Sequence, residues 1–270
     1  MPAKVFLSAF LLLFVLTLPV APAAAQYQLS RQIVDALEDS WDETQGRMTQ
    51  PKVPGLTAAE LGAPVENEAT GSKMDLKLYY PQGTGQAKVD LWLKNYAEKK
   101  LAEYQAEARE FVAAKQAQPG WKGLIFVASR PSEDYLSVVF YESGYTGGAH
   151  GYKSYDIVTF DLAAGRPLTM KDIFHNPDDD DERGLDFFVN YVNAALDQRC
   201  FELYKDSVCR PNSLSLEAAA GGLKNLAFTP HGLAVIYSPY EQGSYAEGTK
   251  YVDIPKSEFL AWGLPDHFWK

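Results

Sequence analysis

The chain has 270 residues, of which 35 are Asp or Glu and 25 are Lys or Arg, so its net charge is −10. An acidic chain repels nucleic acid and anionic lipid, which argues against those partners and favours a basic one. A chain of this length can bury one sizeable core or two small ones.

The N-terminus predicts a secretory signal peptide. Lys4 supplies the positive start, Val5 to Val20 is an uncharged apolar run, and Ala23 to Ala25 provide an A-x-A cleavage site. We expect a mature chain from Gln26, periplasmic or secreted, with a charge near −11 once Lys4 is lost. An uncleaved membrane anchor is the alternative. No later segment is long and apolar enough to span a bilayer.

The predicted elements begin with a short helix and a long connector. Tyr27 to Glu43 has apolar residues at helical spacing, whereas Thr44 to Ser72 lacks sustained periodicity. From Met74 to Tyr80 apolar and polar residues alternate, which predicts a half-buried strand ended by Pro81. Lys88 to Ala117 then predicts the longest helix of the chain.

The rest of the chain predicts mainly short strands, with a few helices between them. The predicted strands are Leu124 to Ala128, Tyr135 to Tyr141, Tyr152 to Phe160, Leu226 to Phe228, Leu233 to Tyr237 and Lys250 to Ile254. The predicted helices are Thr169 to Phe174, Gly184 to Gln198 and Lys256 to Trp262. This grouping indicates an α+β fold, with an antiparallel sheet packed against a long helix and shorter helices.

The segment Gly147-Gly148-Ala149-His150-Gly151 lies between two predicted strands. A two-residue hairpin tip would use Asn-Gly or Asp-Gly instead. Glycines permit positive φ and close backbone approach, so this segment either receives a ligand or packs backbone against backbone. His150 itself is interpreted as a turn-stabilising residue bonded to backbone. The alternative is a catalytic His150 with a nearby carboxylate, in a hydrolase of envelope polymers.

A second segment of interest runs from Tyr237 to Gly248 and contains Tyr240, Glu241, Tyr245 and Glu247. Tyrosines among small residues are typical of adaptable binding loops. The same tyrosines could equally complete the core of a packed loop.

Motifs for metals and cofactors are missing from the sequence. It has no H-E-x-x-H, P-loop, G-x-S-x-G or dinucleotide fingerprint, so we expect no cofactor and no metal. The acidic run Asp178 to Glu182 favours helix capping over calcium binding. Arg183 and Val189 stand where a calcium loop needs glycine and glutamate.

The two cysteines, Cys200 and Cys209, are spaced too widely for a C-x-x-C redox motif. In an exported protein the pair predicts a structural disulfide, which stabilises by roughly 2–3 kcal/mol. A redox-active pair and two free thiols are the alternatives.

Three ordered motifs resemble a family of exported bacterial domains of unknown function. The motifs are Gly147 to Gly151, Phe160 to Phe174 and Tyr237 to Gly248. The family includes the ectodomain of the lysozyme-sensing anti-sigma factor RsiV, and a related region lies in the non-catalytic part of the peptidoglycan deacetylase PdaC. The resemblance spans roughly Lys73 to Phe259. It implies an α+β domain outside the cytoplasmic membrane.

From the resemblance we divide the chain into a signal peptide (1–25), an N-terminal helix and connector (26–72), the two parts of an RsiV-like domain (73–152 and 153–262) and a tail (263–270). The expected function is a non-catalytic binding domain for a cell-envelope ligand, either a basic lysozyme-like protein or a cell-wall glycan such as peptidoglycan. The expected contacts are Gly147, Gly148, His150, Tyr240, Glu241, Tyr245 and Glu247. Neither a sigma-binding segment nor a deacetylase domain is recognisable, so signalling and deacetylation do not carry over.

Overall fold

The computed structural model describes residues 29–42, 47–69, 71–114, 118–174, 183–204 and 223–270. The helices in these ranges are α1 (Leu29–Glu38), α2 (Ala87–Ala113), α3 (Met170–Phe174), α4 (Arg183–Tyr204) and α5 (Lys256–Ala261). The strands are β1 (Trp41–Asp42), β2 (Arg47–Met48), β3 (Thr57–Leu61), β4 (Val65–Asn67), β5 (Ser72–Gln82), β6 (Gly120–Ser129), β7 (Tyr135–Tyr145), β8 (Tyr152–Asp161), β9 (Arg166–Pro167), β10 (Leu226–Thr229), β11 (Gly232–Tyr237) and β12 (Lys250–Pro255).

A seven-stranded sheet with the order β3-β5-β6-β7-β8-β9 forms the centre, and β4 pairs with β5 beside β3. Its pairs are antiparallel except β5–β6, which are parallel because α2 crosses over between them. The alternation along β5 places Met74 and Leu78 on one face, where α2 covers them with Leu93 and Tyr104. This packing explains why the longest helix and the clearest strand pattern are adjacent in sequence.

The opposite face of the large sheet is covered by α1 and by a second sheet of β10, β11 and β12. Two buried hydroxyls join the sheets: the amide of Phe228 donates to Ser137 Oγ, and the amide of Tyr155 donates to Ser238 Oγ. The far side of the small sheet packs against α3, α4 and α5 around Phe228. The α+β prediction is therefore confirmed, with a helix, two sheets and a helical layer stacked in turn.

The predicted connector contains strands that its periodicity did not indicate. Both β3 and β4 lie in it and pair along β5. Pro81 does not end β5, which continues to Gln82. Because β6 pairs with β5 only as far as Leu78, β5 has a strand on one side at Pro81 and can accommodate a proline there.

Several predictions fall outside the described residues, namely the signal peptide, the acidic run at 178–182, and Cys209. Cys200 lies in α4, but the disulfide remains a prediction. In the predicted tail, Phe268 is completely buried against the small sheet. None of the described helices has the length and apolar character needed to cross a membrane.

Candidate functional site

The glycine-rich segment forms the turn between β7 and β8. Gly147 and Gly148 have φ of 93° and 102°, which is the left-handed region that favours glycine. Gly151 lies against the backbone of Gly144, since a Cβ on Gly151 would come within 2.9 Å of the Gly144 oxygen. A Cβ on Gly148 would meet nothing within 4 Å. The segment therefore packs backbone against backbone at one end and faces open space at its tip.

The two segments singled out in the sequence meet through their aromatic rings. The His150 ring stacks on Tyr245 with 4.1 Å between ring centroids and an interplanar angle of 17°. Tyr240 follows, with its centroid 5.5 Å from that of Tyr245. His150 is exposed, and its Nδ1 donates to the carbonyl oxygen of Gly151 at 2.6 Å. The three rings form a continuous aromatic patch.

The two glutamates of the second segment are bonded within the protein. Glu241 accepts hydrogen bonds from the Ser238 amide at 2.7 Å and from Asn225 at 2.9 Å. Glu247 caps the turn at Ser244 and pairs with Lys250 at 2.8 Å. Lys250 and then the Ser244 amide lower the pKa of Glu247 to about 2. Both carboxylates thus shape the loop that presents Tyr240 and Tyr245.

A cleft of about 290 Å³ opens beside the aromatic patch, and Gly151 and Tyr245 form part of its wall. Trp41 and Trp121 also line it, with ring centroids 3.5 Å apart and an interplanar angle of 30°. Trp121 is placed by β6, where it pairs with Tyr145 of β7. The cleft therefore lies across the ends of β6, β7 and β8, between α1 and the loop before β12.

The polar wall of the cleft is built around Glu38, at the end of α1. Glu38 accepts hydrogen bonds from Lys153 and Tyr155, each at 2.7 Å, and from Thr249 at 2.9 Å. Burial raises the pKa of Glu38, but the bonds from Lys153 and Tyr155 outweigh it, and the net pKa is lowered. Glu38 therefore remains charged and holds α1, β8 and the chain before β12 together. Asp39 lies beside it in the wall.

Below the cleft, Tyr152 connects the wall to a buried charged network under α2. Its hydroxyl donates to Glu142 at 3.0 Å. Lys100 and Lys122 lie 3.0 Å and 3.3 Å from the same carboxylate. Burial, followed by the charge of Glu142, raises the pKa of Tyr152. Tyr152 is therefore a neutral, fixed hydrogen-bond donor.

Sequence patterns did not single out Trp41, Trp121, Glu38 or Lys153. The helical spacing from Tyr27 to Glu43 includes Trp41, which the structure places in β1, and Trp121 merely follows the predicted long helix. Their proximity depends on how β1, β6 and β8 are arranged, for which the sequence contains no local signal. Within the residues described, no group of three or more His, Cys, Asp or Glu side chains could hold a metal ion.

Tyr240 has a left-handed backbone conformation, which is strained for a residue other than glycine. It has a φ of 73°, and its side chain is 64% exposed. A non-glycine residue in this region costs roughly 1 kcal/mol, whereas asparagine tolerates it. We expect Tyr240→Asn to raise the free energy of unfolding in urea by about 0.5–1 kcal/mol. Tyr240→Phe keeps the strain and should leave stability unchanged. A loss of stability in Tyr240→Asn would contradict the strain.

One segment of the chain matches a known protein family. Residues 171–257 match the model of a family described as a protein of unknown function, DUF3298. The matched segment contains α4, the small sheet and the Tyr240 loop, whereas Gly147 to Gly151 precede it. No curated protein matches the chain.

Solved structures that are similar to the chain include two proteins described as DUF3298 family members. A DUF3298 family member from Bacteroides fragilis is 18% identical, with a TM-score of 0.49 over 76% of this chain and 92% of that chain. A DUF3298 family protein from Pseudomonas aeruginosa is 15% identical, with a TM-score of 0.49 over 79% of this chain and 96% of that chain.

Proposed function

We propose that the protein is a secreted or periplasmic, non-catalytic binding domain whose cleft holds a glycan of the cell envelope. The observation that carries the proposal is the cleft, in which the stacked rings of Trp41 and Trp121 stand beside charged groups. A sugar ring has one apolar face of C–H groups and a rim of hydroxyls. The face can stack on an aromatic ring, and the rim can bond to carboxylate or ammonium groups.

The polar groups in the wall are positioned before any ligand arrives. Glu38 and Lys153 fix each other at 2.7 Å, and Tyr155 holds the same carboxylate. These side chains are already ordered in the folded protein, so less conformational entropy is lost when a ligand binds. The volume of about 290 Å³ lies near the lower end for small-ligand sites, which suits one or two sugar rings.

An envelope location for this site is supported by the predicted signal peptide. It is also supported by the resemblance to RsiV-type ectodomains and to the non-catalytic region of PdaC. The mature charge near −11 would additionally steer a basic, lysozyme-like protein towards the domain. A concave cleft with aromatic walls favours the glycan over that protein as the ligand.

The arrangement around His150 gives little support to the hydrolase alternative. A general base needs a group that orients it and a pocket that receives the substrate. In the described part of the chain, no carboxylate bonds to the His150 ring, whose Nδ1 is occupied by the Gly151 carbonyl and whose face is occupied by Tyr245. We therefore propose that His150 is part of the contact surface.

The proposal is tested by titrating the purified protein with a soluble N-acetylglucosamine disaccharide and with peptidoglycan fragments. Tryptophan fluorescence and calorimetry report the binding. We expect Trp121→Ala to weaken binding at least about fivefold, if a sugar ring gains as much from stacking as the roughly 1–3 kcal/mol that a nucleobase gains on one aromatic ring. Tyr245→Ala should also weaken binding. Because Tyr245 lies outside the strands, this change should leave the sheets intact.

Trp262→Ala is the matched control, because Trp262 is 56% exposed and stacks on Phe187 away from the cleft. It should bind as the wild type does. If neither sugar nor peptidoglycan bound, the glycan proposal would be wrong. Binding of a lysozyme alone, under the same salt conditions, would instead favour the protein partner.

A further inference from the structure

We infer that the cleft continues across the sheet into a second cavity, so that the ligand is an extended chain of sugars. The inference rests on the proposed function and specifies its ligand class. The second cavity has a volume of about 580 Å³. Trp41 and Trp121 line both cavities, so their stacked rings stand at the junction.

The register of the large sheet places the two cavities in one row. Lys77 of β5 pairs with Gly123 of β6, and Ser143 of β7 pairs with Lys153 of β8. Gly123 of β6 pairs with Ser143, which closes the row. Three interstrand spacings of roughly 4.8 Å separate β5 from β8, so the row extends over about 14 Å.

Both cavities also lie on the same face of the sheet. Met74, Leu76 and Leu78 point towards α2, so the alternating residues Asp75 and Lys77 point the other way. That is the face to which α1 and the small sheet add their walls. The two cavities therefore form a transverse groove, with the tryptophan pair at its middle.

The second cavity repeats the chemistry of the first. The tryptophan rings form one wall, and an ion pair of Glu60 and Lys77 at 3.4 Å forms part of the other. Both of those side chains are about half exposed, so they can bond to a ligand. In the loop between β3 and β4, Gly62 lies against the backbone of β5, since a Cβ there would come within 2.2 Å of the Leu76 oxygen, and Ala63 borders the cavity. A sugar unit would meet the same combination of ring face and charged rim on each side.

The position of the groove on the sheet argues against an extended peptide as its occupant. A peptide commonly binds by adding a strand to an exposed sheet edge. Here β6 and β7 have strand partners on both sides, and on the outer side of β5 the loop at Gly62 lies against the backbone of Leu76. Recognition must come from side chains on the face, where flat rings and charged groups match a glycan chain.

The inference is tested by measuring the affinity of the purified protein for N-acetylglucosamine oligomers from disaccharide to hexasaccharide. We expect the affinity to rise at least tenfold with chain length. Ala63→Trp fills the second cavity from an exposed loop position. It should bind the disaccharide as the wild type does but lose the gain with length. Ala69→Trp is the control, since Ala69 is exposed in the next turn and lines neither cavity.

Two outcomes would overturn the inference while leaving the proposed function intact. One is a wild-type affinity that does not change from disaccharide to hexasaccharide. The other is an Ala63→Trp variant that keeps the full gain with length. If neither an oligomer of any length nor peptidoglycan bound, the proposed function would fail together with the inference.

Discussion

Replacing Glu142 with alanine is expected to lower the free energy of unfolding by about 3–5 kcal/mol. The Glu142 side chain is 12% exposed and lies beside Lys122, which is 5% exposed. Removing the carboxylate leaves two buried or half-buried ammonium groups, on Lys100 and Lys122, without their shared partner. Glu107 remains paired with Lys122, so we expect the lower end of this range.

The stability that is lost in Glu142→Ala should become smaller as the pH falls. Burial raises the pKa of Glu142, but the charges of Lys100 and Lys122 outweigh burial, and the net pKa is lowered. The stability that Glu142 contributes is therefore complete above the ordinary pKa of a glutamate. It is lost as the pH falls below that value, through the lowered pKa. Urea unfolding at several pH values should show the difference between wild type and Glu142→Ala shrinking in acid.

Glu98→Ala is the matched control, since Glu98 lies on α2, the helix that carries Lys100. Glu98 pairs with Lys94 at 3.6 Å, and both side chains are about half exposed. Such a pair contributes less than about 0.5 kcal/mol. Equal losses in the two variants would contradict the buried network. Since Glu142 also fixes Tyr152 in the cleft wall, Glu142→Ala should weaken glycan binding, and Glu98→Ala should not.

Replacing Gly232 with alanine is expected to cost at least about 3 kcal/mol of stability. Gly232 has a φ of 150°, a region that side chains rarely adopt. A Cβ there would lie 2.1 Å from the oxygen of Ile254 and 2.8 Å from the amide nitrogen of Lys256. Both contacts are to backbone, so β11 and β12 would have to separate at the start of the small sheet.

Gly263→Ala isolates the effect of the contact from that of the backbone angle. Gly263 has a φ of 74°, and a Cβ there meets nothing within 4 Å. It should cost only about 1 kcal/mol, the strain of the left-handed region itself. Thermal and urea unfolding of the two variants measure the difference. A Gly232→Ala protein as stable as Gly263→Ala would show that the strands relax around the added methyl group.

Several elements follow from local sequence patterns because their determinants are local. The helical pattern of α2 and the alternation along β5 predicted elements that the structure contains. The α+β class followed from the order of these elements. Boundaries shifted by a few residues, as with α1, which ends at Glu38 and not at Glu43. The helix ends before Trp41 and Asp42, which pair with β2 instead of continuing the helix.

The short strands β3 and β4 could not be predicted from periodicity. Each has a few residues, and each is a strand only because β5 offers it an edge. Pro81 also depends on strand pairing. A proline need not end a strand where one side of that strand is unpaired. In both cases the controlling partner lies elsewhere in the chain.

The sequence by itself determined which segments carry unusual composition, including the turn at Gly147 to Gly151 and the tyrosine loop. Only the tertiary structure decided that His150 stacks on Tyr245, and that Glu241 and Glu247 are bonded inside the loop. The cleft itself depends on the sheet register, which brings residues from distant elements into one wall. Such contacts depend on strand pairing across long sequence separations, and no local pattern encodes them.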